Sequence, residues 1–300
     1  MPRKILIFGA GGQLGRELVN LAGAAAIGLD RAAVDISDEC AVRQAVRDHG
    51  PGAIVNAAGY TAVDRAETEP GEAFSVNRDG AGILAAAAAF AGIPCIHFST
   101  DYVFDGTKRT PYSEDDPIVP LGIYGASKAA GEDAVRSVCP RHIIVRTSWV
   151  YSPYGSNFVR TMLRLGAERP ELGIVDDQIG CPTAAADLAS ATVAMLTEID
   201  RPSFASWGTY HYRGGDIVTW YGFAGLIFDL AAPRGQSTPR VIPIDTANYP
   251  TPAKRPAYSV LATDKLETTF GIHSRPLRTS LDECLDVLVG PQVPAAGDRP

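Results

Sequence analysis

Lys4-Ile5-Leu6-Ile7-Phe8-Gly9-Ala10-Gly11-Gly12-Gln13-Leu14-Gly15 is the segment from which the fold is read. Its apolar half is a continuous run rather than an alternation, as a strand buried on both faces requires. Glycines at 9, 12 and 15 follow at once and open a helical pattern, Gly12 to Leu21. At such a turn the backbone folds back tightly and presents helix N-terminal N–H groups to a pyrophosphate. GxxGxxG alone is a weak signal, because a plain tight turn carries the same letters. Asp30 adds weight: it ends the next apolar run, about 20 residues beyond Gly9, where an acidic side chain takes up the ribose hydroxyls of a dinucleotide. The adjacent Arg31 would attract a 2′-phosphate, so these residues leave NADPH and NADH both open.

Short apolar runs then alternate with longer helical ones through the first half of the chain. The candidate strands are Lys4 to Phe8, Ala26 to Leu29, Ala53 to Asn56, Cys95 to Phe98 and Ile143 to Arg146. Between them lie helical stretches at Gly12 to Leu21, Asp38 to His49 with Ser37 as N-cap, Val76 to Ala91, and Tyr124 to Val138. Such alternation predicts an α/β fold, a doubly wound parallel sheet of the Rossmann type over residues 1–152. After about Ser152 the regularity breaks into helices at Asn157 to Leu165, Ala185 to Glu198, Trp220 to Leu230 and Leu281 to Leu288. Residues 153–289 are read as a smaller C-terminal, mainly substrate-binding domain, and the Pro/Gly-rich 290–300 as a loose tail.

Composition narrows the function. The chain has 300 residues, 46% hydrophobic and 20% charged, which places it among ordinary globular proteins rather than disordered ones. A net charge of −7 has the wrong sign for a surface that neutralises phosphates, so nucleic acid is not expected as a partner. Five cysteines without a CxxC pair, and five histidines without HxxxH spacing, give neither a disulfide framework nor a zinc site. The longest apolar stretch, Ile83 to Ile96, has about 14 residues against roughly 20 for a membrane span. No signal peptide is readable at the start, and the expectation is a reduced, cytoplasmic, soluble protein, with a homodimer left open.

Tyr124-Gly125-Ala126-Ser127-Lys128 places a phenol and an ammonium four residues apart, on one face of a helix. A free phenol ionises near pH 10, and a neighbouring cation would bring it toward the working range of a proton donor. Before it, Phe98-Ser99-Thr100-Asp101-Tyr102-Val103-Phe104-Asp105-Gly106 stands at the carboxyl end of the fourth strand, where open α/β sheets bind ligands. A hydroxyl there can orient a carbonyl toward the tyrosine.

The glycine pattern and the Ser/Thr-Tyr-Lys set resemble the extended short-chain dehydrogenase/reductase family. A narrower resemblance, to the dTDP-4-dehydrorhamnose reductase family, rests on Asn56 to Asp64, Ser99 to Gly106, Tyr124 to Lys128, Arg146 to Tyr151, Asn157 to Val159, Val175 to Thr183 and Arg255-Pro256. It implies reduction of the C4 keto group of a nucleotide sugar by NADPH, with NADH also usable. By this resemblance Thr100 polarises the ketone, Tyr124 supplies the proton, and Lys128 tunes the tyrosine and holds the nicotinamide ribose. The cofactor would meet Gly9, Gly12, Gln13, Leu14, Asp30, Asp35, Ile36, Gly59, Tyr60 and Thr61, together with Tyr124 and Lys128. The sugar nucleotide would meet Thr100, Asp101, Tyr102 and Trp149, with Val63 and Asp64 as weaker candidates. Cys181 replaces a small hydroxyl residue frequent in the family, and Gly59 an alanine. No carboxylate cluster suggests a metal. Two other readings share the fold: a sugar-nucleotide 4-epimerase or 4,6-dehydratase, and a non-catalytic regulatory subunit that keeps the cofactor site. The dehydratases carry Asp-Glu after the strand-end Thr, whereas Asp101 is followed by Tyr102.

Overall fold

The computed structural model describes residues 4–292. Its centre is a parallel sheet of six strands: β1 (Ile5–Phe8), β2 (Ala26–Leu29), β3 (Ala53–Asn56), β4 (Cys95–Thr100), β5 (His142–Thr147) and β6 (Gly208–His211). Their spatial order is β2–β1–β3–β4–β5–β6. The order reverses between β1 and β3, and a crevice opens beyond the carboxyl ends of these two strands.

Period-two alternation within the strands builds a core on each face. On one face Ile7, Val55, Ile96 and Val145 meet Leu14 and Leu18 of α1 (Gln13–Ala22). On the other, Leu6, Phe8, Ile54 and Ile144 meet Val42 and Val46 of α2 (Glu39–His49), Leu84 and Ala88 of α3 (Ala81–Phe90) and Val135 of α4 (Ile123–Val138). A separate core joins α5 (Phe158–Glu168), α7 (Trp220–Ala231) and α8 (Leu277–Val289) through Met162, Phe223, Ile227 and Leu281.

The helices and strands differ from the sequence reading in particulars. The N-cap of α2 is Asp38, not Ser37: its carboxylate accepts the Ala41 N–H at 3.0 Å. The expected helix from Val76 begins as a π-helical turn, Ser75–Gly80, before α3. Strand β6 was not anticipated, because Gly-Thr-Tyr-His has no apolar run. It pairs with β5, and α6 (Ala185–Ile199) packs Leu188, Met195 and Ile199 onto the sheet beside it. Both elements come from the half expected to serve mainly the substrate. The expected tail lies outside the described residues from residue 293 on. Among the described residues no helix is long and apolar enough to cross a membrane.

Candidate active site

The glycine turn is built by close approach. Gly9 has φ +82°, and a Cβ there would lie 2.5 Å from the Ala58 nitrogen. A Cβ on Gly15 would fall 2.1 Å from the Gly9 carbonyl oxygen, so the first turn of α1 rests directly on the loop. The cleft beyond measures about 400 Å³ and is lined by Gly9, Gly12, Asp30, Asp35, Ile36, Gly59 and Tyr60, among others. Five further residues expected at the cofactor do not line it. Leu14 points into the core, and Gln13 accepts from Ser152 (3.0 Å) and Asn157 (2.9 Å), tying the turn to the second half of the chain. Thr61 is exposed beyond the cleft. Tyr124 and Lys128 lie deeper, where an added Cβ on Gly59 would sit 3.9 Å from Lys128 Nζ.

These residues fit a dinucleotide. The floor is backbone that no side chain can cover, and the rim carries Asp30 for the ribose. Asp30 accepts the Ala33 N–H at 3.0 Å. Beside it Arg31 pairs with Glu72 at 3.0 Å and lies 3.9 Å from Asp35, an exposed guanidinium able to turn toward a phosphate.

The residues expected to react converge at the end of β4. Thr100 is its last residue; its hydroxyl donates to Asp101 Oδ1 (3.0 Å) and accepts the Tyr102 N–H (3.2 Å), and it lies close enough to the Tyr124 hydroxyl to favour the phenolate. Tyr124 stands in the first turn of α4 with its ring edge-on to Tyr102, centroids 5.7 Å apart. Lys128, one turn on and 5% exposed, donates to the Phe98 carbonyl at 2.5 Å. Here the structure corrects an expectation. Burial pushes the Tyr124 phenol up to about 12, partly offset by Thr100, instead of a cation drawing it down. Burial also lowers the Lys128 ammonium to about 8, with Glu132 opposing. The phenol therefore holds its proton at neutral pH, the state a proton donor needs.

Three residues that hold this arrangement were not singled out in the sequence. Asn77, in the π-helical turn, accepts the Tyr60 N–H (2.9 Å) and donates to the Tyr60 carbonyl (3.0 Å) and Ser127 Oγ (2.9 Å). It thus locks the loop after β3 to α4. Glu67 accepts the Ile123 N–H at 2.8 Å, a charge-assisted bond at the N-terminus of α4. Glu132 lies buried beneath Lys128 and binds Arg146 through two bonds of 2.8 Å. The helical pattern from Val76 gives no sign of the first, while the pairing partners of the other two are distant in the chain.

Trp149 lies beyond β5 with φ +48°, stacked on Trp220 at 3.5 Å between centroids. The Trp220 indole N–H donates to Gln178 Oε1 (3.2 Å), and Trp220, not Trp149, walls a cavity of about 360 Å³ together with Phe158, Gln178 and Arg255. Arg255 binds Asp64 at 2.9 Å, which brings the loop after β3 against the C-terminal half. Cys181 is fully buried, its carbonyl accepting from Ser148 at 2.8 Å.

The sheet order, the glycine turn and the strand-end hydroxyl beside a Tyr-x-x-x-Lys helix define a dinucleotide-binding α/β oxidoreductase. Comparison with known proteins narrows this. The model of the RmlD substrate binding domain family matches residues 3–289, and the chain belongs to that family. A dTDP-4-dehydrorhamnose reductase of Sinorhizobium fredii is 49% identical over 245 residues, covering 81% of this chain and 83% of the relative. The crystal structure of a reductase of the same name from Clostridium acetobutylicum superposes with a TM-score of 0.89 at 40% identity, covering 95% and 99% of the two chains. Another, from Bacillus anthracis in complex with NADP, gives 0.88 at 36% identity with the same coverage.

Proposed function

We infer that this chain uses NADPH to reduce the C4 keto group of dTDP-4-dehydro-L-rhamnose, giving dTDP-L-rhamnose. The observation that carries the reading is the Tyr124 phenol, protonated at neutral pH and set beside Thr100 at the end of β4, in a chain 49% identical to a reductase of that name. The NADP in the Bacillus anthracis structure supports the cofactor, and Arg31 on the cleft rim supplies a partner for a 2′-phosphate. NADH remains usable through Asp30.

When bound, the cofactor supplies the hydride that goes to C4 of the sugar. The chain's own residues do the rest. Gly9, Gly12, and the backbones of Gln13 and Leu14 would receive the pyrophosphate; Asp35 and Ile36 would border the adenine; Gly59 and Tyr60 would guide the cofactor toward Tyr124. Tyr124 Oη gives its proton to the developing alkoxide. The Lys128 ammonium, held by the Phe98 carbonyl, stabilises the phenolate left behind and holds the nicotinamide ribose. Tyr102 and Trp149 contact the sugar nucleotide, Asp101 lies buried behind Thr100 at the end of β4, and residues 153–289 serve mainly that substrate. Five free cysteines suit a reducing cytoplasm.

An elimination would need a carboxylate base after Asp101. Tyr102 stands there, a phenol pushed up by burial and useless as a base at neutral pH. The test is the absorbance of reduced nicotinamide when purified protein meets dTDP-4-dehydrorhamnose and NADPH. Stoichiometric oxidation of NADPH is expected. Conversion of the sugar without consumption of NADPH would assign a dehydratase or epimerase instead.

A further inference from the structure

A ketone oxygen only accepts hydrogen bonds, so Thr100 can polarise it only by donating. Yet the one proton of the Thr100 hydroxyl is directed at Asp101 Oδ1, 3.0 Å away. While Asp101 is ionised it can only accept, and Thr100 then turns its lone pairs, not its proton, toward the reacting position. Asp101 itself is 1% exposed, and its second oxygen, Oδ2, makes no hydrogen bond within 3.5 Å, although the Ser259 hydroxyl is near enough to the carboxylate to favour its charge. A carboxylate buried with an unpaired oxygen disfavours its own charge.

We propose that Asp101 is a positioning residue that sets the direction of the Thr100 hydrogen bond: in its neutral form it donates to Thr100 Oγ1 and frees the Thr100 proton for the substrate ketone. The proposal rests on the reductase reading above and concerns a residue one bond removed from the reacting atoms. No proton is consumed at Asp101 or Thr100, since each keeps its own and only the acceptors change. The proton that ends on the sugar oxygen comes from Tyr124.

The surroundings agree. Burial raises the Asp101 carboxyl to about 6, with the hydroxyls of Ser259 and Thr100 opposing. The other titratable groups facing it are Tyr102, Tyr124 and Cys181, with Arg213 against Cys181 and Arg255 beyond Tyr102. Burial keeps both phenols and the thiol protonated at neutral pH, Cys181 at about 12. Between pH 5.5 and 7.5 the group that changes charge among those facing Thr100 is thus Asp101.

The experiment is the pH profile of kcat/KM for NADPH-dependent reduction in the wild-type protein, Asp101→Asn and Ser259→Ala. In the wild type the neutral carboxyl is lost as pH rises through about 6, so kcat/KM falls about twentyfold between pH 5.5 and 7.5. The asparagine amide donates to Thr100 at every pH; Asp101→Asn therefore gives a profile flat across this window and exceeds the wild type at pH 7.5. Ser259→Ala removes a hydroxyl that favours the charged form, and its falling limb moves to higher pH. Fluorescence titration with NADPH and a thermal melt verify that both variants fold. A wild-type profile that is flat, an Asp101→Asn limb equal to the wild type's, an Asp101→Asn protein that binds NADPH but is inactive throughout, or a Ser259→Ala limb that does not move overturns the proposal. No turnover by the wild type at any pH would remove the reductase reading itself, which these outcomes distinguish.

Discussion

Tyr124 and Lys128 divide the chemistry between a group that must hold a proton and a group that must hold a charge. Tyr124→Phe removes the donor but keeps the ring edge-on to Tyr102, so turnover should fall about 10² to 10⁴, the usual worth of a positioned acid. NADPH affinity, read by fluorescence, should change little, and wild-type turnover in this variant would refute the role. Lys128→Ala should lower both turnover and NADPH affinity. Because burial brings the ammonium down to about 8, the wild type should also lose activity as pH rises through that value. A rate in alkali that tracks the wild type in Lys128→Ala would contradict the assignment. The spacing of the pair was legible in the sequence; its electrostatics were not. Four residues apart on a helix says nothing of a carbonyl such as that of Phe98, which accepts a hydrogen bond from the Lys128 ammonium.

The helix α4 can carry both groups because its first turn lies against the strand end without a side chain between. A Cβ on Gly125 would come within 2.2 Å of the Tyr102 carbonyl oxygen. Gly125→Ala must therefore push α4 from β4, with an expected loss of about 1 to 3 kcal/mol in stability and a drop in kcat. Chemical denaturation and steady-state rates measure the two, and a variant matching the wild type in both would show that the contact is dispensable. Asn77→Ala should uncouple the loop after β3 from α4, leaving the Tyr60 backbone N–H and carbonyl unpaired, and raise the KM for NADPH. Unchanged KM would count against that bracing role. Apolar runs and glycine spacing disclosed β1 to β5 and α1. They could not disclose the π-helical turn at Ser75–Gly80, which is fixed by what Asn77 binds rather than by any local propensity. Nor could they disclose β6, whose strand character comes from pairing with β5.

Across the molecule, buried polar groups set the response to acid. Arg146 and Glu132 are almost fully buried together, and Arg146 holds the Glu132 carboxyl below the usual range. Glu132→Gln leaves that guanidinium without its buried counter-charge, at a cost of about 3 to 5 kcal/mol and on the order of 10 °C in Tm. His97 and His211 are buried and neutral, burial lowering His211 to about 3 and His97 well below its ordinary value. The unfolded chain binds protons at both below about pH 6.5 while the folded chain refuses them, so stability declines as pH falls through this range. The slope is about 1.4 kcal/mol per pH unit for each histidine. Loss of the Glu132 pair adds below about pH 4.5. Denaturation midpoints at pH 7, 5.5 and 4.5 measure this, and a constant midpoint would contradict the burial of these groups.

The central claim is that a proton from Tyr124 and a hydride from NADPH meet at one sugar carbonyl. The most direct measurement is a single-turnover mixture of protein, NADPH deuterated at the transferable position and dTDP-4-dehydrorhamnose, analysed by mass spectrometry of the sugar. Deuterium at C4 of a product that carries one deuterium and one protium more than the keto sugar, formed by the wild type and suppressed in Tyr124→Phe, is the predicted result. An unlabelled product would contradict it.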